Sequence, residues 1–173
     1  FRATNHPKVL VGTEALLELA SDERADLVIN ALVGTVGILP TLIAIEHDKD
    51  VAIANKEVMV CAGELVMSAV QTHHVRLLPI DSEPSAIWQC LEGEDRASVR
   101  SVILTASGGP FRTTPLSVFS HITPEAALCH PTWKMGKKIT IDSATMMNKG
   151  FEVIEAMHLF QMPAEQIRII IHP

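Results

Sequence analysis

Val51-Ala52-Ile53-Ala54-Asn55 runs directly into an 18-residue segment, 56–73, in which Val60, Val66 and Val70 recur at helical spacing. The first stretch has the length and apolar character of a buried strand. Comparable apolar runs at 26–31 and 75–80 flank this pair. Short apolar runs that alternate with helical segments indicate an α/β fold with mostly parallel strands.

The flanking regions continue this pattern. Helices are predicted at 13–20, with Thr13 as N-cap, and from Pro40, in a first helical turn, to about Glu46. A change in character at Asp81 predicts a domain boundary near residue 80. Beyond it we expect helices at 84–91, after Thr123 as a cap, and within 143–160. Strands are predicted at 100–106, 138–141 and 167–171.

Composition narrows the class of protein. The chain has 173 residues, of which 47% are hydrophobic and 20% charged, as is typical of a globular protein. Its net charge of −6 argues against a nucleic-acid partner, which needs a basic surface. No apolar run approaches the roughly 18 residues of a membrane span, and no signal peptide is visible. Three cysteines without CxxC spacing favour a reducing compartment.

Carboxylates at two distant places suggest a metal site. Asp81 and Glu83 follow an apolar run and, in an extended segment, would share one face. Mg²⁺ and Mn²⁺ prefer such oxygen ligands, and Glu152 is the candidate third ligand. Glu155 lies one helical turn later on nearly the same face. The alternatives are a solvated loop or helix N-terminus for the pair, and exposed helix positions for Glu152 and Glu155.

A second polar set is suited to an anion. The turn Ser107-Gly108-Gly109 follows a predicted strand, and paired glycines let backbone N–H groups approach an anion. It could equally be an ordinary turn. With Ser143, Asn148 and Lys149 it could complete a phosphate cage. The lysines at 134, 137 and 138 form either a solvated loop or a patch that attracts an anionic substrate.

Two further segments could border a ligand. Asn55-Lys56-Glu57 lies where a strand gives way to a helix, the end of an α/β sheet at which ligands bind. The preceding turn, 31–37, has two glycines but not the dinucleotide spacing, so it is weak evidence for a nucleotide. His130 opens a loop, 130–136, that contains Trp133, Met135 and Gly136. His130 could be structural, or the loop could close over a substrate.

In order and spacing, these segments resemble the 1-deoxy-D-xylulose 5-phosphate reductoisomerase family. The stretches that carry the resemblance are 54–57, 78–83, 107–111, 130–136 and 142–152. The resemblance implies a partial Rossmann-like NADPH-binding domain over residues 1–80. A truncated α+β catalytic domain is implied over residues 81–173.

The resemblance also implies roles for individual residues. The implied metal ligands are Asp81, Glu83 and Glu152, and the implied catalytic residues are these three with Lys56 and His130. The implied substrate contacts are Lys56, Ser82, Glu83, Ser107, His130, Ser143, Asn148, Lys149 and Glu152, with the phosphate on Ser107, Ser143, Asn148 and Lys149. The implied NADPH contacts are Asn55, Glu57 and Gly136, and Trp133 and Met135 correspond to a lid.

The implied reaction uses NADPH and Mg²⁺ or Mn²⁺. It rearranges 1-deoxy-D-xylulose 5-phosphate to an aldehyde and reduces it to 2-C-methyl-D-erythritol 4-phosphate, in non-mevalonate isoprenoid biosynthesis. The family implies a homodimer in the bacterial cytoplasm, with a plastid location left open. The chain starts at Phe1, lacks the family's glycine-rich dinucleotide turn and stops at Pro173, before the C-terminal helical domain. We therefore expect an active parent and an inactive isolated fragment.

Two other functions remain compatible with parts of the pattern. A non-catalytic sugar-phosphate-binding module would use the serines, Asn148 and Lys149, but would not need three carboxylates. A metal-dependent phosphohydrolase would use the carboxylates, but would leave the lid and the Asn55–Glu57 segment without a task.

Overall fold

The computed structural model describes residues 9–172; residues 1–8, with which the predicted NADPH-binding domain begins, and Pro173 lie outside the described residues. The first part is a three-stranded parallel sheet in the order β1 (Leu27–Asn30), β2 (Asp50–Ile53), β3 (Leu77–Pro79). Its helices are α1 (Thr13–Ala20), α2 (Ile38–Glu46) and α3 (Lys56–His73). Ile53 pairs with both Asn30 and Pro79, so the carboxyl ends of all three strands meet at one edge.

A hydrophobic core holds the helices and strands of this part together. Ile45 of α2, Ile53 of β2 and Met59 of α3 are fully buried and pack in one cluster. Burial of each such side chain contributes roughly 1.5–3 kcal/mol to folding. Because α3 starts directly after Asn55, its first turn is fixed at the carboxyl edge of the sheet. This first turn includes Lys56 and Glu57.

The second part is built on a two-stranded parallel sheet, β4 (Val102–Ala106) and β5 (Ile167–Ile171). Its helices are α4 (Ser82–Leu91), α5 (Pro124–Ala127), α6 (Lys137–Ala144) and α7 (Met147–Phe160). Leu104, Ala156 and Phe160 lie in its core. Helix α7 packs against α3 of the first part as well as against β4 and β5, so it joins the two parts.

The α/β class with parallel strands is confirmed, but the strand predicted at 138–141 is wrong because these residues lie in α6. Ile139, Thr140 and Ile141 have the period-two alternation of a strand. However, the Thr140 amide donates to the Gly136 carbonyl at 3.1 Å, and Lys138 pairs with Asp142 four residues on. Short apolar runs do not distinguish the two structures, and here the helical bonds prevail.

Two predictions about helix starts had different outcomes. Gly12, and not Thr13, precedes α1, so the predicted Thr13 cap is wrong. Thr123 caps α5 as predicted, because its Oγ1 accepts from the Ala126 amide at 3.2 Å.

The predicted extended geometry at 81–83 is also wrong, because Ser82 and Glu83 form the first turn of α4. The domain boundary proposed near residue 80 falls between β3 and α4 and stays a prediction. Within residues 9–172, no helix combines the length and apolar character needed to cross a membrane.

Candidate active site

Three carboxylates from separate elements converge where α4 and α7 meet. Asp81 directly precedes α4, Glu83 lies in its first turn, and Glu152 lies in the second turn of α7. One carboxylate oxygen from each residue lies within 4.8 Å of the others. Glu152 is fully buried, and the other two are half-buried. The structure thus brings together the three residues that the sequence suggested as metal ligands.

Two buried lysines keep these carboxylates close to one another. The Lys56 Nζ lies 2.7 Å from the Asp81 Oδ1 and 4.0 Å from the Glu152 Oε1. The Lys149 Nζ lies 2.9 Å from the Glu83 Oε1 and also donates to the Glu152 Oε2. Buried charges need such partners, because desolvation of an unpaired ion is costly. Three carboxylates against two ammonium groups still leave an excess of negative charge.

The electrostatics of the cluster fit a divalent cation. Burial, and then the negative charges of Glu83 and Asp81, raise the pKa of Glu152 to about 7, although Lys149 opposes the shift. The Asp81 Oδ2 is buried without a hydrogen-bond partner among residues 9–172. An oxygen-binding cation would pair with that atom and favour the ionised form of Glu152. The residues present therefore fit Mg²⁺ or Mn²⁺.

Glu155 is the feature that sequence reasoning undervalued. Its side chain is fully buried, and neither carboxylate oxygen has a hydrogen-bond partner in the described part of the chain. Burial, followed by the charge of Asp81, raises its pKa to about 8, although Lys56 opposes the shift. Its spacing from Glu152 was the available signal, because residues three apart lie on one helical face.

The residues suggested for a phosphate group line one small cavity of about 40 Å³. Ser107, Ser143, Asn148 and Lys149 all contribute to its wall. The glycine turn makes this arrangement possible, since a Cβ on Gly109 would lie 2.6 Å from the Ser143 carbonyl oxygen. Gly109 also has φ +68°, which disfavours other residues.

A larger cavity of about 380 Å³ lies beside the small one. All five residues predicted to be catalytic line it, together with Ser82, Ser107, Ser143 and Asn148 of the predicted substrate contacts. Trp133 and Met135 of the predicted lid form another wall. Trp133 is 64% exposed. Charged groups and side chains of the predicted lid therefore border the same cavity.

The hydrogen bonds of His130 define its proton position. Its Nδ1 accepts from the amides of Thr132 at 3.1 Å and Trp133 at 2.9 Å. The neutral ring therefore has its proton on Nε2, which donates to the Ser107 Oγ at 3.1 Å. Burial, and then the charge of Arg112, lower the pKa of His130, which favours this neutral form.

A second cavity, of about 290 Å³, is lined by all three predicted NADPH contacts, Asn55, Glu57 and Gly136. We call this cavity the second pocket. The cavity of about 380 Å³ that contains the carboxylate cluster is called the first pocket. Lys56, Ile139 and Asn148 line both. In the second pocket the Lys138 Nζ lies 2.7 Å from oxygens of both Glu57 and Asp142. Burial opposes the shift, but Lys138 holds the pKa of Glu57 below its ordinary value.

Two family models match this sequence. A model described as 1-deoxy-D-xylulose 5-phosphate reductoisomerase matches residues 2–63, and one described as the C-terminal domain of that enzyme matches residues 77–160. The chain belongs to the 1-deoxy-D-xylulose 5-phosphate reductoisomerase family. The reductoisomerase of Chlorobaculum tepidum is 55% identical over 167 residues, which are 96% of this chain and 44% of that protein. The chain thus spans less than half the length of this reductoisomerase.

Solved reductoisomerase structures agree with this assignment. A crystal structure of DOX-P reductoisomerase in complex with NADPH, fosmidomycin and magnesium has a TM-score of 0.88 and 45% identity. The match covers 94% of this chain and 42% of that one. The Zymomonas mobilis reductoisomerase in complex with NADPH has a TM-score of 0.85 and 51% identity, with 94% and 41% covered. These matches confirm the family resemblance and the fold class inferred from the sequence.

Proposed function

We propose that this chain forms the central part of an NADPH- and divalent-metal-dependent 1-deoxy-D-xylulose 5-phosphate reductoisomerase. In the complete protein it would help convert this ketose phosphate to 2-C-methyl-D-erythritol 4-phosphate. The observation that supports this most is the contact between two pockets of different chemistry. The three-carboxylate cluster lines the first pocket, the predicted cofactor residues line the second, and Lys56 borders both.

The anionic end of the substrate would be held in the small cavity. Ser107, Ser143 and Asn148 would supply oriented hydrogen bonds there, and Lys149 a point charge. This contact would orient the carbon skeleton in the first pocket. Binding energy from an end of the substrate that does not react can thereby align the end that does.

Asp81, Glu83 and Glu152 would hold Mg²⁺ or Mn²⁺, and Asn55, Glu57 and Gly136 would contact NADPH. When bound, the metal ion supplies Lewis acidity to substrate oxygens and the nicotinamide supplies hydride. Lys56 would stabilise negative charge that develops on the substrate, since its buried ammonium faces Asp81 and Glu152. The Nε2–H of His130 would donate a hydrogen bond in the same cavity, and the loop with Trp133 and Met135 would exclude water.

The proposal also covers the domains, oligomeric state, location and partners of the complete protein. Residues 1–80 would be the later part of its NADPH-binding domain, and residues 81–173 a portion of its catalytic domain. A homodimer in the bacterial cytoplasm, without nucleic-acid or membrane partners, is the expected setting. The acidic net charge of −6 supports the expectation about nucleic acid.

The test is oxidation of NADPH by the complete protein with the ketose phosphate and Mn²⁺. We expect turnover, its loss in Asp81→Asn, and its retention in Asp95→Asn, a control in which an exposed aspartate becomes an amide. Release of inorganic phosphate with NADPH unchanged would favour a phosphohydrolase instead. Turnover by the isolated 173 residues would contradict the expectation that this chain alone is inactive.

A further inference from the structure

The loop after β1 forms one wall of the second pocket, where Ala31, Leu32 and Val33 line the cavity. We propose that Asn30 is a positioning residue that holds this loop, and with it the binding surface for the nicotinamide dinucleotide. The inference rests on the proposed function, because that function assigns the second pocket to NADPH. Neither family motifs nor the sequence pattern singled out Asn30.

Asn30 is a buried amide that joins three backbone segments. It is 3% exposed, and its Nδ2 donates to the Gly37 carbonyl at 2.9 Å and to the Thr41 Oγ1 at 2.7 Å. Its Oδ1 accepts from the Leu32 amide at 3.1 Å. Thr41 in turn donates to the Gly37 carbonyl at 2.9 Å. One side chain therefore links β1, the pocket loop and α2.

Asn55 holds the other end of the same loop. Its Nδ2 donates to the Gly34 carbonyl at 2.9 Å, and its side chain is almost fully buried. Gly37 lies between the two asparagines, and a Cβ on it would lie 2.3 Å from the Asn55 Nδ2 and 2.9 Å from the Asn30 Nδ2. The close packing of the two amides therefore depends on glycine at position 37.

The pocket loop needs these anchors because residues 31–33 belong to no helix or strand. Val33 is 71% exposed, and Gly34 has φ +80°, so neither core packing nor regular hydrogen bonding fixes this segment. Without the Asn30 amide, the Leu32 amide would lose its side-chain acceptor and the Gly37 carbonyl would keep only the Thr41 hydroxyl as a side-chain donor. The loop would then sample other conformations. A ligand that binds the ordered form would then bind more weakly.

The experiment measures the Kd for NADPH and the Kd for Mn²⁺ separately in the complete protein. Asn30→Asp keeps the size of the side chain but replaces the donor with an oxygen that faces the Gly37 carbonyl. Thr41→Val removes the hydroxyl from the other end of the network and stays informative if Asn30→Asp does not fold. The matched control is Thr72→Val, which removes a hydroxyl that likewise donates to a carbonyl four residues earlier, in α3.

We expect both network variants to raise the Kd for NADPH about tenfold, with the Kd for Mn²⁺ changed less than about twofold. Thr72→Val should change neither constant. Folded network variants with an unchanged Kd for NADPH would overturn the proposal, as would an equal loss of both ligands. If the folded, unsubstituted protein does not bind NADPH, the proposed function itself fails, and this result is distinct from the others.

Discussion

The two pockets share lining residues, but different interactions hold them in shape. In the first, ionised side chains face one another at short range, as in the pair of the Lys56 Nζ and the Asp81 Oδ1 at 2.7 Å. The loop that lines the second is held by neutral amides, since Asn30 and Asn55 donate to backbone carbonyls. A partly exposed ion pair of Lys138 with Glu57 lies at the edge of this pocket. The first should therefore respond strongly to pH, metal and charge-changing substitutions. The second should respond to substitutions that loosen its backbone.

The largest expected effect is the loss of a carboxylate from the cluster. Glu152→Gln removes a buried negative charge and leaves one acceptor oxygen where two now accept, one from the Asn148 Nδ2 and one from the Lys149 Nζ. Turnover in the complete protein should fall about 10³-fold. The Kd for NADPH should stay within about twofold, which corresponds to less than 1 kcal/mol. If the Kd for NADPH rose by as large a factor as turnover fell, the substitution in the first pocket would also be disturbing the second.

Glu155→Gln should change the free energy of unfolding and its dependence on pH, and should leave the three predicted metal ligands in place. A pKa raised to about 8 in the folded protein means that folding is most favoured while Glu155 is protonated. That contribution is complete below the unfolded value of 4.5 and is lost as the pH rises through 8. Without metal, the variant should gain on the order of 4 kcal/mol over the unsubstituted protein at high pH.

Urea unfolding of the metal-free complete protein at pH 5 and pH 9 checks this prediction. The exposed residue Glu92 offers the matched control, Glu92→Gln, which should give no pH-dependent difference. A variant that is equally destabilised at both pH values would instead indicate that Glu155 packs or pairs in its ionised form.

Metal affinity should depend on pH through Glu152. Its pKa of about 7 means that protons compete with the cation below neutrality. The Kd for Mn²⁺ should therefore rise about tenfold for each pH unit below 7, and level off above it. Mn²⁺ titrations between pH 5.5 and about 8.5 would measure this profile. A Kd for Mn²⁺ that does not change over this pH range would contradict the claim that Glu152 must lose a proton to bind the ion.

The smallest effect is expected at Lys138, which neutralises Glu57 at the edge of the second pocket. Lys138→Met would leave that carboxylate unpaired beside an anionic dinucleotide. Because Lys138 is partly exposed, we expect the Kd for NADPH to rise only about fivefold, near 1 kcal/mol. Arg76→Met, which removes a charge paired with Asp50 at the opposite end of the sheet, is the control and should leave that Kd unchanged.

The sequence was sufficient to predict much of the fold because the relevant signals are local. The strand at Asp50–Ile53 and the helix at Lys56–His73 follow from apolar spacing within single segments. The helix at Lys137–Ala144 was missed because its short apolar run fits both periods. Asp81 and Glu83 do lie near Glu152, but they meet it through the first turn of α4 and not along the extended face that the sequence suggested. Their role as metal ligands stays a prediction.

Other features depend on packing between distant segments and left no local signal. A Cβ on Gly63 would lie 2.3 Å from the His158 ring, so the close approach of α3 and α7 needs that glycine. This contact lies between the helices that contain Lys56 and Glu152, and nothing near Gly63 in the sequence points to His158. The burial of Glu155 and the network around Asn30 have the same origin.

The most direct test of the central claim is the number of Mn²⁺ ions that the complete protein binds, measured by electron paramagnetic resonance at pH 8. We predict one tightly bound ion per chain, and loss of that ion in each of Asp81→Asn, Glu83→Gln and Glu152→Gln, provided each variant remains folded. Unchanged Mn²⁺ binding in all three folded variants would contradict the assignment of the carboxylates to a common metal ion.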